Sequence, residues 1–145
     1  MEIEIDISDT LAKLLRAGKD VKLLSLKAMD KGGLIVERDA KRLAPVGDTG
    51  HLRARIGRKV IDRGNEIVCE VGTNVHYAPY VELGTGIHAS NGQGRQTPWR
   101  FKLPNGKWVT TQGMKPQPFL LPALRRNEYN VKYAVAAELR RLLAK

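Results

Sequence analysis

The side chains with most chemistry to offer are three histidines, a single cysteine and Glu82, and their spacing limits what they can do together. His51, His76 and His88 fall on separate turns and loops, and none stands beside a second His, Cys or carboxylate at metal-ligand spacing. Cys69 lies on the apolar side of the alternating stretch Ile67, Cys69, Val71, where a thiolate is hard to form. Ser8, Ser25 and Ser90 lack the surroundings of a nucleophile elbow. The run from Gly86 to Arg95 is rich in glycine but has neither the preceding strand nor the lysine of a phosphate-binding loop, so its glycines read as mobility. Glu82 sits among Tyr77, Tyr80 and Gly84. A carboxylate without a partner is a poor hydrolytic catalyst, and Glu82 reads as an ion-pair or helix-end contact. The residues assign no catalytic, cofactor-binding or metal-ligating role, and the expected protein is not an enzyme.

What the chain offers instead is cationic surface. Its formal charge is +10, with a pI near 10.0. No Asp or Glu occurs from Leu83 through Asn127, whereas Arg95, Arg100, Lys102, Lys107, Lys115, Arg125 and Arg126 do. With Trp99, Phe101 and Trp108 interleaved, this zone suits nonspecific contact with a nucleic-acid backbone or with an acidic partner, and the aromatics suit a core equally well. No helix-turn-helix, zinc-finger or RNA-binding signature accompanies it. The same charge opposes self-association unless an acidic surface or DNA screens it, so the isolated chain is expected to be monomeric or weakly associated. One cysteine cannot form an internal disulfide, no apolar run resembles a signal peptide, and none approaches the roughly 20 residues that cross a bilayer. The expectation is an intracellular existence, at least during assembly, with no membrane partner.

The elements that position these residues are legible from periodicity. At 145 residues the chain fits one domain, 1–145, with a mobile loop at about 86–98. Ile3, Ile5 and Ile7 alternate with Glu2, Glu4 and Asp6 as a strand with one buried face. Ser8 or Asp9 caps a short helical turn carrying Leu11, Leu14 and Leu15, closed by Gly18. From about Asp20 to Ala44, Val21, Leu24, Ala28, Ile35, Val36, Ala40 and Leu43 recur at helical spacing until Pro45. Burying five of these contributes on the order of 8–15 kcal/mol gross, which outweighs roughly 2 kcal/mol for Gly32-Gly33 inside a helix. The glycine pair is a kink, a close approach by another backbone, or a tolerated weak point.

A turn at 46–50 leads into a strand in which Leu52, Ala54, Ile56 and Val60 alternate with Arg53, Arg55, Gly57, Lys59 and Ile61, and Gly64-Asn65 reverses it into a strand at 66–72. Asn74 caps a short helix with Tyr77, Tyr80 and Val81 on one face, ended by Gly84. Asn105-Gly106 signals a two-residue type I′ hairpin that sets Leu103 opposite Trp108 and Phe101 opposite Thr110. Prolines 116, 118 and 122 keep the next segment extended, and Pro122 opens a final helix with Leu124, Val131, Val135, Leu139 and Leu142 on one stripe. Phe119 in that segment is expected to be an aromatic anchor for a neighbouring subunit, the alternative being a plug beneath the final helix. The fold class is α+β: a mainly antiparallel sheet packed against the long N-terminal-half helix and the C-terminal helix, with an extra β-hairpin.

Three motifs carry a resemblance. The segment V-G-T-N-V-H-Y-A-P-Y-V-E-L-G-T at 71–85, A-P-V-G-D-T-G-H-L at 44–52 and G-M-K-P-Q-P-F-L-L-P-A-L at 113–124 together resemble the small neck proteins of long-tailed double-stranded DNA phages, the head–tail joining or tail-completion proteins. The chain departs from that pattern by inserting Gly47 and by carrying Ala54-Arg55 where the family has a Ser. The resemblance implies a structural virion protein, in the neck or tail of the particle and in the host cytoplasm during assembly. It implies a homo-oligomeric ring, a hexamer or dodecamer, that joins the DNA-filled head to the tail as a tail-completion or tail-terminator layer. Adjacent head-connector and tail-tube proteins would be its partners, with nonspecific contact to the packaged DNA. On that reading Tyr77, Tyr80, Glu82 and Phe119 form the subunit interface, and Arg95, Arg100, Lys102, Lys107 and Lys115 face DNA or an acidic partner. The alternative is a free basic nucleic-acid-binding module.

Overall fold

A computed structural model describes residues 2–47 and 50–144. The longest element, α2 (Val21–Leu43), starts where the Asp20 carboxylate accepts the Leu23 amide at 3.0 Å and stops before Pro45. It follows α1 (Ser8–Arg16), which ends ahead of Gly18 at φ +68°. The limits of α2 and the end of α1 are those expected, but neither Ser8 nor Asp9 caps α1: its N-cap is Ile7, and the Asp6 carboxylate accepts the Ser8 amide at 2.9 Å. The antiparallel hairpin of β1 (Gly57–Asp62) and β2 (Ile67–Gly72) packs on α2, and so do α5 (Leu120–Arg126) and α6 (Glu128–Leu143). Between them run α3 (His51–Ala54), α4 (Ala78–Leu83), a 3-10 turn (Gly86–His88) and a second hairpin, β3 (Trp99–Lys102) with β4 (Trp108–Thr111). The result is the α+β class, with two separate two-stranded sheets.

Gly32-Gly33 is a place of close approach on two sides. A Cβ on Gly32 would lie 2.8 Å from Val135 Cγ2 of α6, and one on Gly33 would overlap Cys69 Sγ of β2. These missing side chains let α6 and β2 approach the α2 backbone. Gly33→Ala should therefore lose stability even though alanine favours a helix by about 1 kcal/mol, because overpacking costs about 1–3 kcal/mol. Urea unfolding should show a net loss of up to about 2 kcal/mol, most of it recovered by adding Cys69→Ala. A gain in stability for Gly33→Ala alone would contradict this packing.

Charged side chains tie the layers together. Arg58 of β1 donates to Asp30 Oδ1 at 2.8 Å and to Glu37 Oε2 at 2.5 Å, both on α2. Burial alone would raise the Glu37 carboxyl, but hydrogen bonds from Lys41 and Arg58 outweigh it and hold it below its ordinary range. Asp39 is held low in the same way by Arg42 and Asn127, against its burial. Asp39 also pairs with Arg126 at 3.0 Å, which joins α2 to the end of α5. Arg53 closes the C-terminus of α2 by donating to the Ala44 carbonyl at 3.1 Å.

Several expectations are corrected. Residues 2–7 form no strand: the isoleucines are half-buried against the core and the acids exposed, as the alternation required, but no neighbouring strand pairs with them. Leu52 and Ala54 belong to a helical turn, so β1 starts only at Gly57, and Arg58 reaches inward. The turn expected at 46–50 includes residues 48 and 49, which lie outside the described residues. Asn74 does not cap α4; the nearby cap-like bond is Val75 N–H to Thr73 Oγ1 at 3.2 Å. The C-terminal helix is two helices, broken at Asn127, whose Nδ2 donates to the Ala123 carbonyl at 2.7 Å and to Asp39 Oδ2 at 2.8 Å.

The second hairpin pairs Lys102 with Trp108 and Phe101 with Val109, one residue away from the expected register. Pro104 is the cause. A two-residue turn over Asn105-Gly106 needs an amide at the position before it, and proline has none. The chain instead makes a five-residue connection in which Gly106 N–H donates to Leu103 O at 2.9 Å and Leu103 N–H to Lys107 O at 2.7 Å, with Gly106 at φ +87°.

Candidate functional site

The corner around α4 is built by crossing backbones. After Gly84 the chain runs against residues 112–117: Thr85 N–H donates to Met114 O at 2.9 Å, Ile87 N–H to Gln112 O at 3.0 Å, and Gln117 N–H to Val81 O at 2.8 Å. The crossing is tight enough to need two glycines. A Cβ on Gly86 would lie 2.8 Å from Gly113 Cα, and one on Gly113 would lie 2.8 Å from Gly86 Cα. The start of the 86–98 loop is thus tied to the body, and Ser90 Oγ adds a bond to the Leu83 carbonyl at 2.9 Å.

Glu82 is the hinge of this corner. Its Oε2 accepts the amides of Phe119 at 2.8 Å and Leu120 at 3.0 Å, and its Oε1 accepts that of Leu121 at 2.9 Å. The carboxylate thereby caps α5 from another helix, supplying acceptors for three first-turn amides that have no partner within α5. This is the helix-end contact that its setting suggested.

Phe119 is not a displayed anchor. Its side chain is 0% exposed and is the largest of the fully buried side chains among the described residues. The prolines on either side do keep the segment out of a sheet, but the three bonds to Glu82 turn the segment into the body. Tyr77 is half-buried, with the ring of His76 edge-on at 5.4 Å and that of His51 tilted at 6.5 Å. Tyr80, in contrast, is 58% exposed. Leu83, Ile87 and Met114 on the same crossing segments are exposed too.

The β3–β4 hairpin projects from this corner, and its aromatics are not core. Trp108 is 59% exposed and Phe101 41%. The observed register gives the ribbon two different faces. Trp99, Phe101, Val109 and Thr111 share one, and Arg100, Lys102, Trp108 and Thr110 share the other. The Arg100 guanidinium lies 5.2 Å from the centroid of Trp108, and that of Arg95 lies 5.6 Å from Trp99. Arg95, Arg100, Lys102, Lys107 and Lys115 are all exposed. Arg126, by contrast, pairs with Asp39 and belongs to the body.

Among the described residues, no three of His, Cys, Asp and Glu are grouped to hold a metal ion. Burial pushes the half-buried Cys69 thiol up, away from nucleophilic behaviour. Among the described residues, no helix is long and apolar enough to cross a membrane. Tyr129 and Tyr133, exposed and stacked on α6 with centroids 6.4 Å apart, are surface aromatics that the sequence reading did not single out. Their i, i+4 spacing was the available signal.

The model of the HK97-gp10-like family, described as a bacteriophage tail component, matches residues 6–84. No curated protein and no solved structure matches the chain. The fitted span runs from the end of the arm at 2–7 through α4 and stops at Gly84, at the start of the carboxylate-free zone.

Proposed function

Because this chain belongs to the HK97-gp10-like family of bacteriophage tail components, we propose that it is a structural virion protein whose copies close into a ring in the phage neck. The ring would join the DNA-filled head to the tail, as a tail-completion or tail-terminator layer, between head-connector and tail-tube proteins. The observation that carries this reading is the family match over the α1–α4 body. The geometry supports it in two ways. A structural role suits a molecule whose carboxylates are occupied in holding helices and hairpins together, as Glu37, Asp39 and Glu82 are. A contact role suits the exposed Tyr80 corner and the projecting cationic hairpin, the latter facing DNA or an acidic partner. Phe119 and Tyr77 would then shape the interface from beneath.

Removal of the gene product from an infection tests the reading. Filled heads and finished tails should accumulate unjoined, and supplying the protein should join them. Normal infectious particles without it would overturn the proposal. The rival reading, a free basic nucleic-acid-binding module, draws on the exposed Trp108 and Phe101 among cations. It requires tight, steeply salt-dependent binding of the isolated chain to DNA.

A further inference from the structure

We propose that the arm at residues 2–7 and the β3–β4 hairpin are the two halves of a head-to-tail contact between copies of this chain, the hairpin of one copy adding beside the arm of the next as neighbouring strands. The inference rests on the ring reading above and supplies its contact.

Three observations lead to it. First, the arm has the alternating burial of a strand but no strand partner. Ile3, Ile5 and Ile7 lie against the core, Glu2, Glu4 and Asp6 point outward, and among the described residues no backbone hydrogen bond joins residues 2–6 to another segment. A segment of strand pattern with unpaired amides and carbonyls is a template for strand addition. Second, the hairpin is a two-stranded ribbon with open edges and with both faces substantially exposed.

Third, the two segments match face by face. In a shared sheet, the arm's isoleucines fall on the side of Trp99, Phe101 and Val109, while Glu2, Glu4 and Asp6 fall on the side of Arg100 and Lys102. The opposite placement would set acids against the apolar face and is disfavoured. The arm also borders a concave surface shared with α2, β1 and β2 and lined in part by the half-buried Leu11, Val21 and Leu124. The apolar face of the incoming hairpin would lie over that surface. The two segments are unlike, so the contact is heterologous and leads to a ring where its rotation closes.

Cross-linking combined with charge exchange tests the contact. Asp6 is left unchanged because its carboxylate accepts the Ser8 amide at 2.9 Å and helps to start α1. Glu4→Cys protein is mixed with isotope-labelled Lys102→Cys protein at high concentration and oxidised, and the disulfides are mapped by mass spectrometry. A bond between position 4 of one chain and position 102 of the other is expected. Glu2→Lys added to the arm variant, or Arg100→Glu added to the hairpin variant, sets like charges against each other and should lower the yield of that bond by roughly fivefold. The yield should return when the two reversals are combined, one in each partner. All four substitutions change exposed side chains, and circular dichroism should show every variant folded. Absence of the bond, or failure of the paired reversals to restore it, overturns the contact. If the contact fails while the wild-type chain is still found in the neck, the ring reading stands and its interface lies elsewhere.

Discussion

Phe119→Ala should lower folding stability by about 3–5 kcal/mol, the usual consequence of emptying a fully buried aromatic site. The side chain is 0% exposed, and it enters the core where Glu82 fixes the chain direction at the start of α5. Truncation leaves a cavity that the surrounding helices cannot close without moving Glu82 or Pro118. Urea unfolding of the isolated chain measures it. A loss below about 1 kcal/mol would mean that the aromatic is displayed and not packed. Any defect in particle assembly caused by this variant follows from the unfolded monomer, so Phe119→Ala is no test of an interface, whereas Tyr80→Ala is.

Glu82→Ala should be nearly as severe, at roughly 2–4 kcal/mol. Three amides lose their acceptor at once, and an unsatisfied part-buried donor costs about 1–3 kcal/mol, less where water reaches it. Glu82→Gln keeps one acceptor oxygen but loses the negative charge favoured at a helix N-terminus, so it should lose less than the alanine variant. Hydrogen exchange adds a local reading: amides 119–121 should lose protection in Glu82→Ala before those of α2 do. Unchanged protection at these amides would show that the cap contributes nothing to α5.

These two residues mark the boundary of what the sequence makes legible. Where one element carries its own signals, the reading holds: Asp20 and Pro45 bracket α2, Gly18 and Gly84 stop their helices, and Gly64-Asn65 reverses the first hairpin. The class and the order of the later elements follow from such signals. Glu82 was legible as a helix-end contact because it is a lone carboxylate in a cation-rich stretch. Phe119 was not legible, because proline spacing tells that a segment is extended without telling which way it turns.

Register was lost where one residue overrode a stronger-looking motif, as Pro104 did to Asn105-Gly106. The alternation of Leu52, Ala54 and Ile56 imitated a strand, but Leu52 is buried in a helical turn and Ile56 is buried just before β1 begins. Arg58 interrupts the apolar series between Ile56 and Val60, and local pattern gives it no role because its two acceptors, Asp30 and Glu37, lie far back in the chain. The arm shows the reverse case. Its pattern of burial was legible, yet a strand needs a partner, and the described residues of the chain provide none.

A ring at the joint between head and tail would be visible by electron cryo-microscopy of intact particles in which the chain is located by a fused or bound tag. A single closed layer at the neck is expected, with the tag once per subunit and the β3–β4 hairpin beside the neighbouring subunit's arm. Tag density repeated along the tail tube, or no tag density at the neck, would contradict it.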